Sequence, residues 1–282
     1  MNKFTRQLAA WNVLLMVFCL SFTTSAYSQD KYNFDLQAKL SALQYNREWP
    51  LLEPKIKAGK ASAMEWYKAA YLRRQHIDES IGYLNSALKL ERKGSDLYAV
   101  ILFSRSFAYK GALNYQLEKK DLEMLVTTYP GFKLPLMNLS FLLMEDHDYR
   151  RAIELCQRLL KLEPDNMGAH NNLAYGYAES GQYKEAVSIG EKGLKLRGDI
   201  KMIAALLNNI GYARAMLGDP KKGLEEIAES IRKNPANSFA YFNKGRIYIE
   251  LKQNGLACAA FRQAREYGGV NLTALYLEKY CK

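Results

Sequence analysis

A recurring spacing of 34 residues is the feature that most restricts how this chain can fold. Identical residues lie 34 positions apart in the middle of the sequence: Leu139 and Leu173, Tyr149 and Tyr183, Ala152 and Ala186, Pro130 and Pro164. The spacing widens to 37 between Ala186 and Gly223 and returns to 34 between Gly223 and Ala257, so about three residues are inserted near 197–202. A period of this length indicates repeated units that stack on one another.

The clearest unit contains the stretch AHNNLAYGYAESGQYKEAV, residues 169–187. Leu173, Ala174 and Tyr177 lie at helical spacing and precede Gly181, a residue that commonly follows the end of a helix. Ala186 lies in a second periodic segment, where a small side chain lets two helices approach closely and a large one would overpack the contact. The unit therefore predicts two helices joined by a tight turn.

The period and these residues resemble the tetratricopeptide repeat family. The resemblance implies an all-α fold, a right-handed α-solenoid of antiparallel helix pairs in which each pair contacts mainly its neighbours. Six units are expected, at about residues 61–94, 99–132, 133–166, 167–203, 204–237 and 238–270. The unit at 99–132 departs from the family pattern, because Glu118 stands where a small residue is expected.

The segments that flank the six units are expected to cap the solenoid. Residues 29–60 are interpreted as a linker and a capping helix at 35–47, which Pro50 and Pro54 are expected to terminate. Residues 271–282 are expected to form a last helix that covers the final repeat.

Residues 1–28 are predicted to be a secretory signal peptide. Lys3 and Arg6 precede a mostly apolar run at 8–20, and small residues suit cleavage after Ser28. The apolar run is shorter than the roughly 20 residues of a membrane-spanning helix. We therefore expect an exported, periplasmic protein without a membrane span, provided that the host has two membranes.

The net charge favours anionic partners without identifying one. Removing Lys3 and Arg6 from 40 basic residues leaves 38 against 29 acidic residues, a net charge of +9. Such a charge assists encounters with acidic proteins, lipid headgroups or wall polymers. Because the charges are scattered and the chain is expected to be exported, nucleic acid is not an expected partner.

The sequence offers no recognisable catalytic constellation. His76, His147 and His170 lie in different units, and neither a phosphate-binding Gly-rich loop nor an activated Ser or Cys is apparent. The acidic stretch 145–148 around His147 is interpreted as a solvated turn rather than a metal site. We therefore predict a protein that is not an enzyme and binds no cofactor or metal.

Three cysteines follow the predicted signal peptide. Cys156 lies at helical spacing from Ala152 and Leu159 and is expected to be a buried thiol. The segment from Cys258 to Cys281 resembles the terminal module of exported bacterial tetratricopeptide proteins, and the resemblance favours a disulfide between them. Two reduced thiols packed in the terminal core are the alternative.

Four asparagines recur in register, each directly before the Leu position of a first helix. They are Asn138, Asn172, Asn209 and Asn243. The residues three positions further on are Phe141, Tyr175, Tyr212 and Arg246. First helices line the concave surface of such solenoids, and in some tetratricopeptide families an asparagine row holds an extended peptide; the resemblance implies a similar use here.

The residues beside the asparagines fit a peptide-binding groove. Aromatic side chains offer contact area at low entropic cost, and Arg246 is expected to meet a carboxylate. Asn171 has only Asn208 as a counterpart in another repeat, so its assignment to the groove rests on fewer repeats. In the alternative interpretation the asparagines are tolerated polar residues and the aromatics are half-buried spacers.

The leading functional hypothesis is a non-enzymatic adaptor or scaffold of the bacterial envelope that binds an extended peptide segment of a partner protein in its concave groove. One alternative is a structural component of envelope assembly that uses its convex face. Another is a binder of an anionic envelope glycan or lipid.

Overall fold

The computed structural model describes residues 42–270 and 272–281, and these ranges contain fourteen α-helices and no strand. The expected all-α class is confirmed, with successive helices joined by short turns. The chain divides into two compact units, Met1–Pro135 and Leu136–Lys282. The signal peptide predicted at 1–28 lies outside the described residues.

The described part of the first unit contains five helices. They are α1 (Ala42–Lys57), α2 (Ala63–Leu72), α3 (Ile77–Leu90), α4 (Asp96–Gly111) and α5 (Tyr115–Thr128). Ser62 and Glu65 form a capping box that satisfies the free N–H groups at the start of α2. Tyr67, Leu84 and Ile101 pack together from α2, α3 and α4, so consecutive helix pairs share one core.

Helix α1 differs from the expected capping helix because it continues through Pro50 and Pro54 to Lys57. Of the helix expected at 35–47, residues 35–41 lie outside the described residues. Each proline removes one backbone hydrogen bond, yet its fixed φ remains compatible with a helix. Leu52 is buried and the ring of Trp49 lies 6.4 Å from that of Tyr83, so tertiary packing holds the helix against its sequence propensity.

Helix α5 carries two buried carboxyl groups. Arg105 binds Asp121 through two hydrogen bonds, with Nε 2.8 Å from Oδ2 and Nη2 2.7 Å from Oδ1, and donates a third to Asn85. Glu118, at the position where a small residue is expected, is only 3% exposed. Its Oε2 is buried without a hydrogen-bond partner among the described residues, and burial raises the pKa of this carboxyl to about 7.

The second unit contains the remaining helices, the first of which begins just before the unit boundary. They are α6 (Lys133–Glu145), α7 (Tyr149–Leu162), α8 (Met167–Glu179), α9 (Tyr183–Leu194), α10 (Ile200–Met216), α11 (Pro220–Lys233), α12 (Ser238–Glu250), α13 (Asn254–Glu266) and α14 (Thr273–Tyr280). Helix α10 has 17 residues against 13 in α8 and α12, so the inserted residues lengthen a first helix. The expected boundary between residues 203 and 204 therefore falls inside α10.

Small residues bring helices of the second unit into backbone contact. A Cβ on Gly223 would lie 2.5 Å from the carbonyl oxygen of Gly211, and a Cβ on Gly211 would lie 2.7 Å from that of Gly223. Helices α10 and α11 therefore meet at a place where no larger side chain fits. Gly245 packs in the same way against the ring of Phe261.

The C-terminal end is closed by α14. The rings of Phe242 and Phe261 lie 5.1 and 5.2 Å from that of Tyr276 on α14. In the structure Cys258 and Cys281 are bonded, with their Cα atoms 5.6 Å apart. Cys156 is a buried free thiol, and burial raises its pKa to about 11.

Candidate functional site

The asparagines of the first helices α8, α10 and α12 form a continuous chain of hydrogen bonds. The Nδ2 of Asn243 donates to Oδ1 of Asn208 at 3.1 Å, and Asn208 donates to Asn209 at 3.2 Å. Asn209 donates to Oδ1 of Asn171 at 3.0 Å, and Asn171 donates to Asn172 at 3.4 Å. This series of side-chain hydrogen bonds joins three consecutive repeats. Amides hydrogen-bonded in such a series polarise one another, which strengthens each bond.

Arg246 closes the chain of asparagines at its α12 end. Its Nη1 lies 3.2 Å from Oδ1 of Asn243 and 2.5 Å from Oε1 of Glu179 on α8. The guanidinium also lies 3.9 Å from the centre of the Tyr212 ring. Neighbouring Glu179 favours the charged form of Arg246 and raises its pKa, although burial opposes the charge. The guanidinium of Arg246 therefore already interacts with Asn243, Glu179 and the Tyr212 ring of the same chain.

A depression of about 150 Å³ lies over Arg246 in the second unit. Its lining comes mainly from first helices and from the segment before α14. The residues are Met144, Glu145, His147, Tyr149, Tyr175, Glu179, Phe239, Phe242, Asn243, Arg246, Gly269, Val270 and Leu272. Tyr175 links two further rings, since its ring centre lies 6.4 Å from those of Tyr149 and Phe239.

The turn after α6 positions one wall of the depression. His147 adopts a left-handed backbone conformation with φ of 60°, at the turn position that Gly181 occupies one repeat later with φ of 80°. Its Nδ1 is 2.7 Å from the hydroxyl of Tyr149, which begins α7. A turn required by every helix pair thus also fixes the Tyr149 ring.

The tyrosine hydroxyls of this wall lie in a dry and partly negative environment. Burial raises the pKa of both Tyr149 and Tyr175. The carboxylates of Glu179 and Glu145 raise both pKa values further, whereas Arg246 lowers them. The hydroxyls therefore remain protonated hydrogen-bond donors over the physiological pH range.

The residues predicted to bind a peptide differ in their access to solvent. Asn209, Asn243 and Tyr212 are buried. Asn138, Asn172 and Tyr175 are half-buried, and Phe141 is 49% exposed. Of the predicted set, Tyr175, Asn243 and Arg246 line the depression.

Sequence reasoning did not assign Tyr149 or Phe239 to the site. The recurrence of Tyr149 as Tyr183, 34 residues later, indicates a position of the repeat and gives no sign of a binding role. Phe239, 44% exposed at the start of α12, has no aromatic counterpart one repeat earlier. The repeat period therefore gives no indication that Phe239 belongs to the site.

Two segments of the second unit match models of known repeats. Residues 143–210 and 240–266 each match the description "Tetratricopeptide repeat". In these two segments the chain is similar to tetratricopeptide repeats. Tetratricopeptide proteins serve as protein-interaction adaptors, and the fold is typically a non-enzymatic scaffold.

Curated tetratricopeptide relatives match over limited lengths. Hsp70-Hsp90 organizing protein 3 from Arabidopsis thaliana is 31% identical over 90 residues, which are 30% of this chain and 16% of the relative. A probable UDP-N-acetylglucosamine–peptide N-acetylglucosaminyltransferase SPINDLY from Hordeum vulgare is 24% identical over 119 residues, or 41% of this chain and 13% of that enzyme. Because the chain spans less than a sixth of these relatives, their activities do not transfer to it.

Solved tetratricopeptide structures share the fold at low identity. A tetratricopeptide repeat protein from Parabacteroides merdae ATCC 43184 has a TM-score of 0.58 and 15% identity, covering 86% of this chain and 100% of that one. A chain of the APC/C hetero-tetramer Cut9–Hcn1 also gives 0.58 and 15%, covering 94% of this chain and 52% of that one. These structural similarities support the α-solenoid fold, and they do not identify a binding partner.

Within residues 42–270 and 272–281, the side chains form no group of three or more His, Cys, Asp or Glu suited to holding a metal ion. None of the helices in these ranges is long and apolar enough to cross a membrane.

Proposed function

We propose that the chain is a non-enzymatic adaptor of the bacterial envelope, and that it binds an extended segment of a partner protein on the first-helix surface of residues 136–282. The depression lined by Tyr149, Tyr175 and Phe239 is the observation that carries the proposal. Partly exposed aromatic side chains around a concavity are the usual anchors of protein interfaces.

The buried asparagines support this surface from beneath. Because Asn209 bonds to Asn171 on α8 and Asn208 accepts from Asn243 on α12, the first helices α8, α10 and α12 are held in a fixed arrangement before any partner arrives. A preformed surface lowers the entropic cost of ordering on binding. Asn138 and Asn172, which are half-buried, keep the role of contacting the peptide backbone.

Two features support the envelope as the site of action. The first 28 residues have the pattern of a signal peptide. The bond between Cys258 and Cys281 suits an oxidising compartment, since cytosolic disulfides are rare. Fractionation of a native host, with mass spectrometry of the mature N-terminus, tests this part; full-length chain in the cytosol would contradict it.

Site-specific photocrosslinking in living cells tests the binding surface. A photoreactive amino acid replaces Phe239, which lines the depression, or Leu256, which lies on second helix α13 of the same repeat. The two side chains are similarly exposed, 44% and 51%. Adducts to a partner from position 239 that are absent from position 256 support the proposal, and the reverse pattern refutes it.

A second candidate function uses the other face of the second unit. A groove lined by α7, α8 and α9 includes the apolar side chains of Leu160, Leu173 and Ile189, and it carries three lysines, Lys161, Lys184 and Lys192, against one carboxylate, Glu185. This charge favours an acidic partner or an anionic glycan or lipid. Crosslinks from position 161 instead of 239, together with binding that is lost at modest salt, would support it.

A further inference from the structure

The groove lined by α7, α8 and α9 carries more positive charge than negative. Lys161 on α7 and Lys184 and Lys192 on α9 line it together with one carboxylate, that of Glu185. All three lysine side chains are exposed, and none of them forms an ion pair with another described residue. Glu185 directly follows Lys184 in the first turn of α9, so these two charges largely cancel. Two ammonium groups are therefore in excess.

The two excess ammonium groups lie on opposite sides of the groove. Lys161 is in the last turn of α7, and Lys192 is in the last turn of α9. Second helices of consecutive repeats run in the same direction, so both lysines lie toward the same end of the groove. Glu191, which precedes Lys192 in the chain, is bonded to Arg214 on α10. It therefore does not neutralise Lys192.

Apolar side chains lie between the two helices that carry the lysines. Leu160 on α7 and Ile189 on α9 are half-buried and line the groove with Leu173 and Tyr177 of α8. The hydroxyl of Tyr177 accepts a hydrogen bond of 2.8 Å from Nε2 of Gln157 on α7. The groove has a volume of about 560 Å³. An apolar side chain that enters it leaves water, and a carboxylate beside that side chain meets the lysines.

We infer that the groove binds an acidic segment of another protein. One apolar side chain of this segment lies between Leu160 and Ile189, and carboxylates of the residues beside it lie near Lys161 and Lys192. An anionic glycan offers no aliphatic side chain for the groove to bury. A membrane surface is flat and meets the lysines without reaching the side chains between the helices. The inference rests on the second candidate function and selects one of its three occupants.

The groove and the depression over Arg246 lie on opposite sides of α8. Leu173 and Tyr177 line the groove, whereas Tyr175 and Glu179 line the depression. Residues two positions apart in a helix point about 200° away from each other. A segment in the groove therefore leaves the depression accessible, and the inference does not depend on what the depression binds.

The probe is a library of random nonapeptides with acetylated N-termini and amidated C-termini. The library is passed over immobilised protein, and the retained peptides are sequenced by mass spectrometry. We expect enrichment of Asp and Glu beside an apolar position. Lys161→Gln combined with Lys192→Gln weakens the binding of a retained acidic peptide about fivefold, the size of two exposed charge pairs. Lys161→Glu combined with Lys192→Glu shifts the enrichment to Lys and Arg.

Lys89→Gln combined with Arg265→Gln is the matched control. Both side chains are exposed and lie in the last turns of second helices, on α3 and α13, so the control makes the same change of charge at equivalent helix positions. We expect its affinity for the same acidic peptide to stay within about twofold of the unaltered chain. Equal thermal midpoints of the two double variants show that a difference in affinity comes from the groove.

The outcomes separate the inference from the second candidate function. Peptides retained without a preference for Asp or Glu overturn the inference, as does an equal loss of affinity in the control. Vesicles of phosphatidylcholine with phosphatidylglycerol, and heparin, are tested on the same variants. If either binds through Lys161 and Lys192 while acidic peptides do not, the inference is wrong and the candidate function stands with another occupant. If no probe depends on these lysines, both are wrong.

Discussion

The buried carboxyl of Glu118 should make the first unit less stable as the pH rises. Glu118 is 3% exposed on α5, and burial raises its pKa from the usual 4.5 to about 7. Between these two values the folded chain holds a proton that the unfolded chain has released, so the free energy of unfolding falls with increasing pH. The loss begins near pH 4.5 and is complete above pH 7.

The size of this effect follows from the width of the pH interval. A difference of one pKa unit corresponds to about 1.4 kcal/mol, so the shift of Glu118 amounts to about 3 kcal/mol at pH 8. Lys110 partly offsets the burial of the charge, and its contribution is included in the shifted pKa. Glu118→Gln removes the titration with almost no change of volume and should stabilise the first unit by about this amount at pH 8 and little at pH 4.

Tryptophan fluorescence during urea unfolding isolates the first unit. Trp49 and Trp66 both belong to it, and Trp11 lies in the predicted signal peptide. Unfolding free energies are compared between Glu118→Gln and the unaltered chain from pH 4 to pH 8. Glu123→Gln, a partly exposed carboxyl on the same helix, serves as control and should change stability by less than about 0.5 kcal/mol. Equal differences for Glu118→Gln at pH 4 and pH 8 would refute the burial of its charge.

Three further perturbations test the packing of both units. Asp121→Ala leaves the partly buried guanidinium of Arg105 bonded to Asn85 but without its carboxylate partner, and it should lower the unfolding free energy by about 2–3 kcal/mol; a loss below about 1 kcal/mol in urea unfolding contradicts this. Gly223→Ala forces α10 and α11 apart and should destabilise the second unit by about 1–3 kcal/mol. Gly255→Ala is the control, because open space surrounds this glycine, and it should not lower the thermal midpoint. Reduction of the Cys258–Cys281 bond frees a loop of 23 residues, should reduce stability by about 3 kcal/mol and should raise hydrogen exchange in α14; unchanged exchange would count against a restraining role.

The 34-residue period, with its resemblance to the tetratricopeptide repeat, was sufficient to predict the all-α fold, because helix pairing is a local property that recurs in every repeat. Helix α1 was the exception, since Pro50 and Pro54 signal a helix end in any local reading of the sequence. The contacts of Trp49 and Leu52 that maintain the helix come from the tertiary structure. No local pattern contains that information.

The candidate site was only partly accessible to such reasoning. Register places Asn172, Asn209 and Asn243 on successive first helices, but the packing between these helices decides whether their amides face a partner or one another. The carboxylate that Arg246 meets belongs to Glu179, 67 residues earlier and two first helices away. A repeat pattern predicts contacts between adjacent repeats. It gives no information about a contact between two repeats that are separated by a third.

The hydrogen-bonded asparagines also constrain how this sequence can diverge. Replacing Asn208 alone leaves the amide of Asn243 without its acceptor and removes the donor to Asn209, and each orphaned buried group costs about 1–3 kcal/mol. Replacing the whole set by apolar residues removes the requirement altogether. Sequences between these two endpoints should be less stable than either, so we expect the amides to be retained or exchanged together.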